Sequence, residues 1–215
     1  MSTATQTKQA LIEAIATVAQ DENLAKGTPL TDLNLDSAIA TQLETKIIAL
    51  ESENPNPYPL KTSIELLDGA WELLYSTARE IRVLNSLPLG FQLGRVYQVI
   101  DVATKGFYNQ AFCKHATNAL AGYVTVNATF SKAPTPDDGI PDRKINVDFN
   151  QRSIFITKVL GLPFVLKNPV STVSARNPVG RIPSLTLTYL DADFRIGRGG
   201  DQSIFVLSKT NTIQP

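Results

Sequence analysis

One cysteine, one histidine and one tryptophan serve all 215 residues. With Cys113 alone, no intrachain disulfide can form, which agrees with a reducing compartment. A four-ligand zinc site would need partners that the chain mostly lacks, so no metal is expected. Cys113 and His115 could face each other as a nucleophile and base, since positions i and i+2 of a strand share a side. No third orienting group is evident, and exposed residues at a strand end explain the pair as well. The chain therefore reads as non-enzymatic and without a cofactor. Long apolar runs are also missing: none approaches the ~20 residues of a membrane-spanning helix. Met1 to Gln9 has neither the apolar core of a signal peptide nor the arginines of a transit peptide. This reads as a soluble or peripheral protein that acts where it is made or after trimming. Net charge is lacking too, at zero overall. Residues 1–60 hold three basic and eight acidic side chains, and residues 61–215 hold 17 and 12, so −5 precedes +5. Charge this small and scattered excludes nucleic acid, which needs a dense basic face.

What is present divides at Leu67-Asp68-Gly69-Ala70-Trp71-Glu72-Leu73-Leu74-Tyr75-Ser76. Before it, apolar residues recur at helical spacing; after it they alternate with period two. The spacing predicts a helix over 6–20 with Leu11, Ile12, Ile15 and Val18 as its stripe. A second runs from Ser37 to about Glu51, capped by Asp36, with Ile39, Leu43, Ile47 and Leu50 on one face. Asn54 to Pro59 is a stiff extended linker. Thr62-Ser63-Ile64-Glu65 has capping-box spacing and predicts a short helix ending at Gly69. Trp71, Leu73 and Tyr75 are expected on one face of the next strand, with Trp71 plugging a barrel floor. Residues 81–94 read as a long apolar loop. Strands follow at 96–102, 106–113, 122–131, 143–149, 153–158, 185–190, 194–197 and 203–209, with a surface loop at 134–139 and a second apolar loop at 159–170. About nine short strands in hairpin order predict a mainly β fold, an antiparallel up-and-down barrel. Residues 1–60 form its helical extension and linker, and residues 61–210 the barrel domain. Residues 21–35 carry no assignable pattern.

These residues resemble the fibrillin family of plastid lipid-associated proteins. The match rests on Ile47–Tyr75, Gly94–Asp101 and above all Leu187-Thr188-Tyr189-Leu190-Asp191-Ala192-Asp193-Phe194-Arg195-Ile196-Gly197-Arg198-Gly199 with Ser203–Lys209. The resemblance implies a lipocalin-like barrel with Gly69-x-Trp71 as its first-strand signature. It also implies binding of a lipid, quinone or carotenoid type of molecule at a thylakoid or lipid-globule surface, with a structural or photoprotective role in photosynthetic membranes. The missing transit peptide looks like the cyanobacterial branch, thylakoid-associated or cytoplasmic, or a trimmed plastid form.

Candidate residues have two readings each. Arg195 and Arg198 could hold an anionic headgroup, or one could stack on Trp71. Asp191 and Asp193 could serve as acid and base or bind a metal, but are expected to cap a turn and pair with those arginines. The aromatics Tyr75, Tyr97 (or Val99), Phe107, Phe112, Phe149, Phe155, Tyr189 and Phe205 are expected to point inward with Trp71. Residue pattern leaves a packed core and an apolar cavity equally open, and the resemblance favours the cavity. Leu160, Leu162 and Phe164, flanked by Lys158 and Lys167, fit interfacial anchoring; from Arg143 to Arg198 there are nine basic residues and three acidic. Alternatively the barrel is filled, and its loops or the N-terminal helices hold a protein partner.

Overall fold

The structure, a computed structural model, describes residues 3–84, 86–134, 139–164, 166, 168–175 and 182–215. Helix α1 (Thr3–Asp21) precedes a two-residue strand β1 (Leu30–Thr31), which runs parallel to the end of the next strand. Helix α2 (Ser37–Ser52) is capped as its sequence predicts: Asp36 Oδ1 accepts from the Ala38 amide at 2.7 Å. The capping box at Thr62 does not form. Pro59 starts a helical turn earlier, α3 (Pro59–Thr62), because its fixed φ suits a first helical position. Thr62 ends that turn and its hydroxyl donates back to Tyr58 O. A 3-10 turn (Ile64–Leu67) follows, and Gly69 takes φ +104 where the first long strand begins.

That strand is β2 (Gly69–Ser76). After it come helix α4 (Arg79–Leu84), β3 (Phe91–Asp101), β4 (Gly106–His115), β5 (Leu120–Lys132), β6 (Lys144–Val159), β7 (Leu162–Pro163), β8 (Ser171–Ser174), β9 (Ser184–Leu190), β10 (Phe194–Gly199) and β11 (Ile204–Thr210). Three boundaries depart from the sequence reading. The apolar stretch after Ser76 contains α4, whose Ile81 and Leu84 pack on the interior. The two strands expected at 143–149 and 153–158 are one, bulged at Asn150. The second apolar loop carries β7, and β8 follows it.

Eight strands close in a ring, in the order β2-β3-β4-β5-β6-β9-β10-β11 and back to β2, every neighbour antiparallel. Closure gives each of the eight strands a partner on both sides. The closure is uneven. β6 pairs with β9 only through Lys144, Ile145 and Asn146; farther along it pairs with β8 and β7. Two apolar clusters result. The interior one joins Trp71, Leu73, Val96, Ile100, Ala128, Phe130, Val147, Leu187, Leu190 and Leu207. The exterior one places Leu11 and Ile15 of α1 and Leu43, Ile47 and Leu50 of α2 against Tyr75, Tyr189, Ile196 and Val206. The helices thus cover one outer face of the ring.

Candidate functional site

The interior is organised from Trp71. Its indole is fully buried, and Nε1 donates to Leu67 O at 2.8 Å. The guanidinium carbon of Arg195 lies 4.9 Å from the ring centre, and Lys209 Nζ lies 5.1 Å from it. Arg195 is 2% exposed, and burial pulls its pKa down. An arginine nonetheless keeps its proton, because its solution pKa lies far above neutrality. Its Nη2 donates to Gln98 Oε1 at 2.6 Å, Gln98 Nε2 donates to Asn109 Oδ1 at 2.9 Å, and Arg195 Nε has no partner among the described residues. The aromatic face and a carboxamide relay hold this charge, with no carboxylate among the described residues.

Arg198 is on the opposite side of the sheet. It donates from Nε and Nη2 to both Glu51 oxygens (2.8 and 2.9 Å) and from Nη2 to Glu44 (2.7 Å), and the Glu51 hydrogen bonds first, then Glu44, raise its pKa. It pins α2 to the ring. Asp191 does cap the turn, its Oδ1 accepting from the Asp193 and Phe194 amides, but neither it nor Asp193 pairs with Arg195 or Arg198, whose partners are Gln98 and the Glu44–Glu51 pair. Lys8 of α1 takes that place, 2.8 Å from Asp191 and 2.5 Å from Asp193, and Tyr189 donates its hydroxyl to Asp191. Burial pushes the Asp191 carboxyl up; the Lys8, backbone and Tyr189 hydrogen bonds outweigh it and hold the pKa low.

Five aromatics expected inside are not there, and bulges explain three. Val206 pairs with Tyr75 and Leu207 with Leu73, so Leu74 is an extra residue in β2 and Tyr75 turns out to the helices. Thr188 does the same in β9 and sends Tyr189 outward. Asn150 flips β6, so Phe149 points in and Phe155 out. Phe112 lies five residues from the inward Phe107, an odd separation that places it on the other face. Tyr97 and Val99 alternate with the inward Val96, Gln98 and Ile100. Tyr97, Phe112, Tyr123 and Phe155 form a row across the outside of β3–β6, with ring centres 6.1, 5.5 and 4.7 Å apart. Trp71, Phe107, Phe149 and Phe205 belong to the interior cluster.

Beyond the floor the ring is open. Arg152 and Ile154 face inward from β6, opposite Val126 and Val124, yet both are exposed. Clefts of about 370 and 170 Å³ lie outside the ring, the first between the 22–35 loop and Phe91–Leu93, the second between α1 and β2. Neither is lined by the interior aromatics.

At the open end the loop after β6 displays Leu160, Leu162, Phe164 and Leu166, at 85, 70, 38 and 47% exposure. Lys158 is half-buried and donates to Asn118 Oδ1 at 3.1 Å; Lys167 lies outside the described residues. The chain has no Asp or Glu from 102 to 136 or from 149 to 190. Cys113 is partly buried, which pushes its thiol pKa up, and His115 Nδ1 lies 2.7 Å from the Thr117 hydroxyl with its ring edge-on to Phe91. Among the described residues no group of three His, Cys, Asp or Glu could hold a metal, and no helix is long and apolar enough to cross a membrane. Gln98 and Asn109 could have been noticed in the sequence as polar residues at inward positions of apolar strands; Lys209 gave no such signal.

The PAP_fibrillin family model matches residues 6–208. Relatives include a chromoplast-specific carotenoid-associated protein of Cucumis sativus, 32% identical, covering 76% of this chain and 58% of that protein. Plastoglobulin-1 of Pisum sativum is 29% identical, covering 80% and 55%. A probable plastid-lipid-associated protein 2 of Arabidopsis thaliana is 27% identical, covering 92% and 74%. The chain thus spans little more than half the length of the first two relatives. No solved structure matches it.

Proposed function

The chain belongs to the PAP_fibrillin family, and on that premise we propose that it is a peripheral protein of a lipid surface, a lipid globule or photosynthetic membrane in a plastid or cyanobacterium. In this reading the eight-stranded ring is a lipocalin-like up-and-down barrel whose open end meets the lipid. A lipid, quinone or carotenoid type of molecule enters there and packs on the interior aromatics Phe107, Phe149 and Phe205, above the floor of Trp71 and Arg195. The observation that carries the reading is the exposure of Leu160, Leu162, Phe164 and Leu166 within a stretch of chain that holds no carboxylate. An anionic surface attracts each nearby Lys or Arg by about 1 kcal/mol, and inserted apolar side chains add their transfer free energy.

Liposome flotation tests the surface reading. Binding rises with anionic lipid, falls with salt, and weakens in Phe164→Asp even at low salt. Equal flotation of Phe164→Asp and wild type would leave the loop without a role. The packed floor favours a second reading, a scaffold that holds a protein partner through α1 and α2. Mass spectrometry of organic extracts from natively purified protein decides between them: a stoichiometric hydrophobic compound supports capture, and an empty extract supports the scaffold.

A further inference from the structure

The open end carries two turns of one design. Leu160-Gly161 joins β6 to β7 as a two-residue hairpin loop, with φ +50 and +78. Leu89-Gly90 lies between Pro88 and Phe91, whose O and N bond at 3.3 Å, with φ +59 and +77. Positive φ at both central residues defines a type I′ turn, in which Asn or Gly is favoured first and a large apolar residue is strained. Each turn nevertheless puts a leucine there, and each leucine is 85% exposed. The strain therefore supports no packing within the chain.

The turns are also neighbours. The Ala116 amide donates to Gly90 O at 2.9 Å, and the Gly161 amide donates to Ala119 O at 3.0 Å, so both are tied to the short β4–β5 connection. Basic residues at this end include Lys114 and Lys158, and no Asp or Glu occurs in residues 81–100, 102–136 or 149–190. We propose that Leu89 and Leu160 are a paired membrane anchor: two rigid turn tips on one rim that enter the same anionic lipid surface together. This rests on the lipid-surface reading above and adds to it a second contact and a fixed orientation, with the open end of the ring facing the lipid.

The test uses Leu89→Asn, Leu160→Asn and the double variant in flotation on phosphatidylglycerol–phosphatidylcholine vesicles, beside thermal melts. Asparagine suits the left-handed turn position, so each variant melts at or above the wild-type temperature. Each single variant loses about fivefold in vesicle affinity, and the double variant more than tenfold, from apolar surface withheld from the lipid. If wild type binds and Leu89→Asn binds equally well, the pairing is wrong while the lipid-surface reading stands. A lowered melting temperature in Leu89→Asn would assign that side chain to packing and overturn the proposal. Wild type that fails to float overturns both.

Discussion

The Arg195 guanidinium carbon lies 4.9 Å from the centre of the Trp71 ring, inside the sheet and without a carboxylate counterion among the described residues. A desolvated cation–π contact of this kind contributes about 2 kcal/mol. Trp71 adds its burial and the hydrogen bond to Leu67 O. Trp71→Ala should cost about 3–5 kcal/mol, the lost transfer plus the cavity left behind. A loss below about 1 kcal/mol in chemical denaturation would remove Trp71 from its place as the floor.

Lys8 fastens α1 to the Asp191 turn. Burial lowers the Lys8 pKa and its two carboxylate hydrogen bonds raise it further, for a net rise; Asp191 is net lowered. A lowered carboxylate stabilises above its unfolded pKa of about 4 and loses that contribution as pH falls through the folded value; a raised lysine stabilises below about 10.4 and loses its contribution as pH climbs past the folded value. Lys8→Met should cost about 1 kcal/mol at pH 7. The gap to wild type should close in acid and again in strong base. Urea melts at pH 3, 7 and 11 measure it, and a gap constant with pH would assign the loss to packing.

Removing residues 1–52 uncovers Tyr75, Tyr189, Phe194, Ile196 and Val206 and leaves Arg198 without Glu44 and Glu51. The remaining chain should keep a β-rich circular dichroism spectrum, bind a hydrophobic dye and self-associate. A truncated chain as stable and monodisperse as the whole would mean that the helices add nothing to the ring.

Gly122 sits where β5 and β6 slip register. A Cβ there would lie 2.1 Å from Phe155 O and 3.3 Å from Ile156 Cα, both backbone atoms that cannot swing aside. Gly122→Ala should cost more than about 3 kcal/mol. Thermal melts decide it, and a drop of only a degree or two would show that β6 can yield.

Alternation and spacing in the sequence point to the strands, the Asp36 cap and the buried tryptophan, because each is a local property of neighbouring residues. Side-chain facing beyond a bulge is another matter. Leu74 and Thr188 resemble the strand residues around them, so nothing local marks them as the extra residue that reverses every face after it, and Asn150 reads as a break between two strands where it is a bulge within one. That reversal moved Tyr75, Tyr189 and Phe155 out of the interior. The partners of Asp191 escaped for a different reason. Lys8 is 183 residues away, and only the docking of α1 brings it close. The apolar character of Leu160, Leu162 and Phe164 is legible as composition. Their exposure, and the pairing with Leu89, needed the hydrogen bonds that gather three connections on one rim.

The ring is sealed by β2 against β11, its first and last strands, with Ala70 opposite Thr210, 140 residues (210 − 70) apart in sequence. Contacts of such sequence separation carry the greatest loop-closure cost and slow folding. A ribosome must release the chain through Thr210 before this seam can form. Helices α1 and α2 precede the seam in the chain but cannot settle until Ile196, Ile204 and Val206 of their platform are in place. Until then β2 keeps one unpaired edge and the helices keep a bare apolar stripe. The most vulnerable moment for this ring is therefore the interval just before β11 arrives.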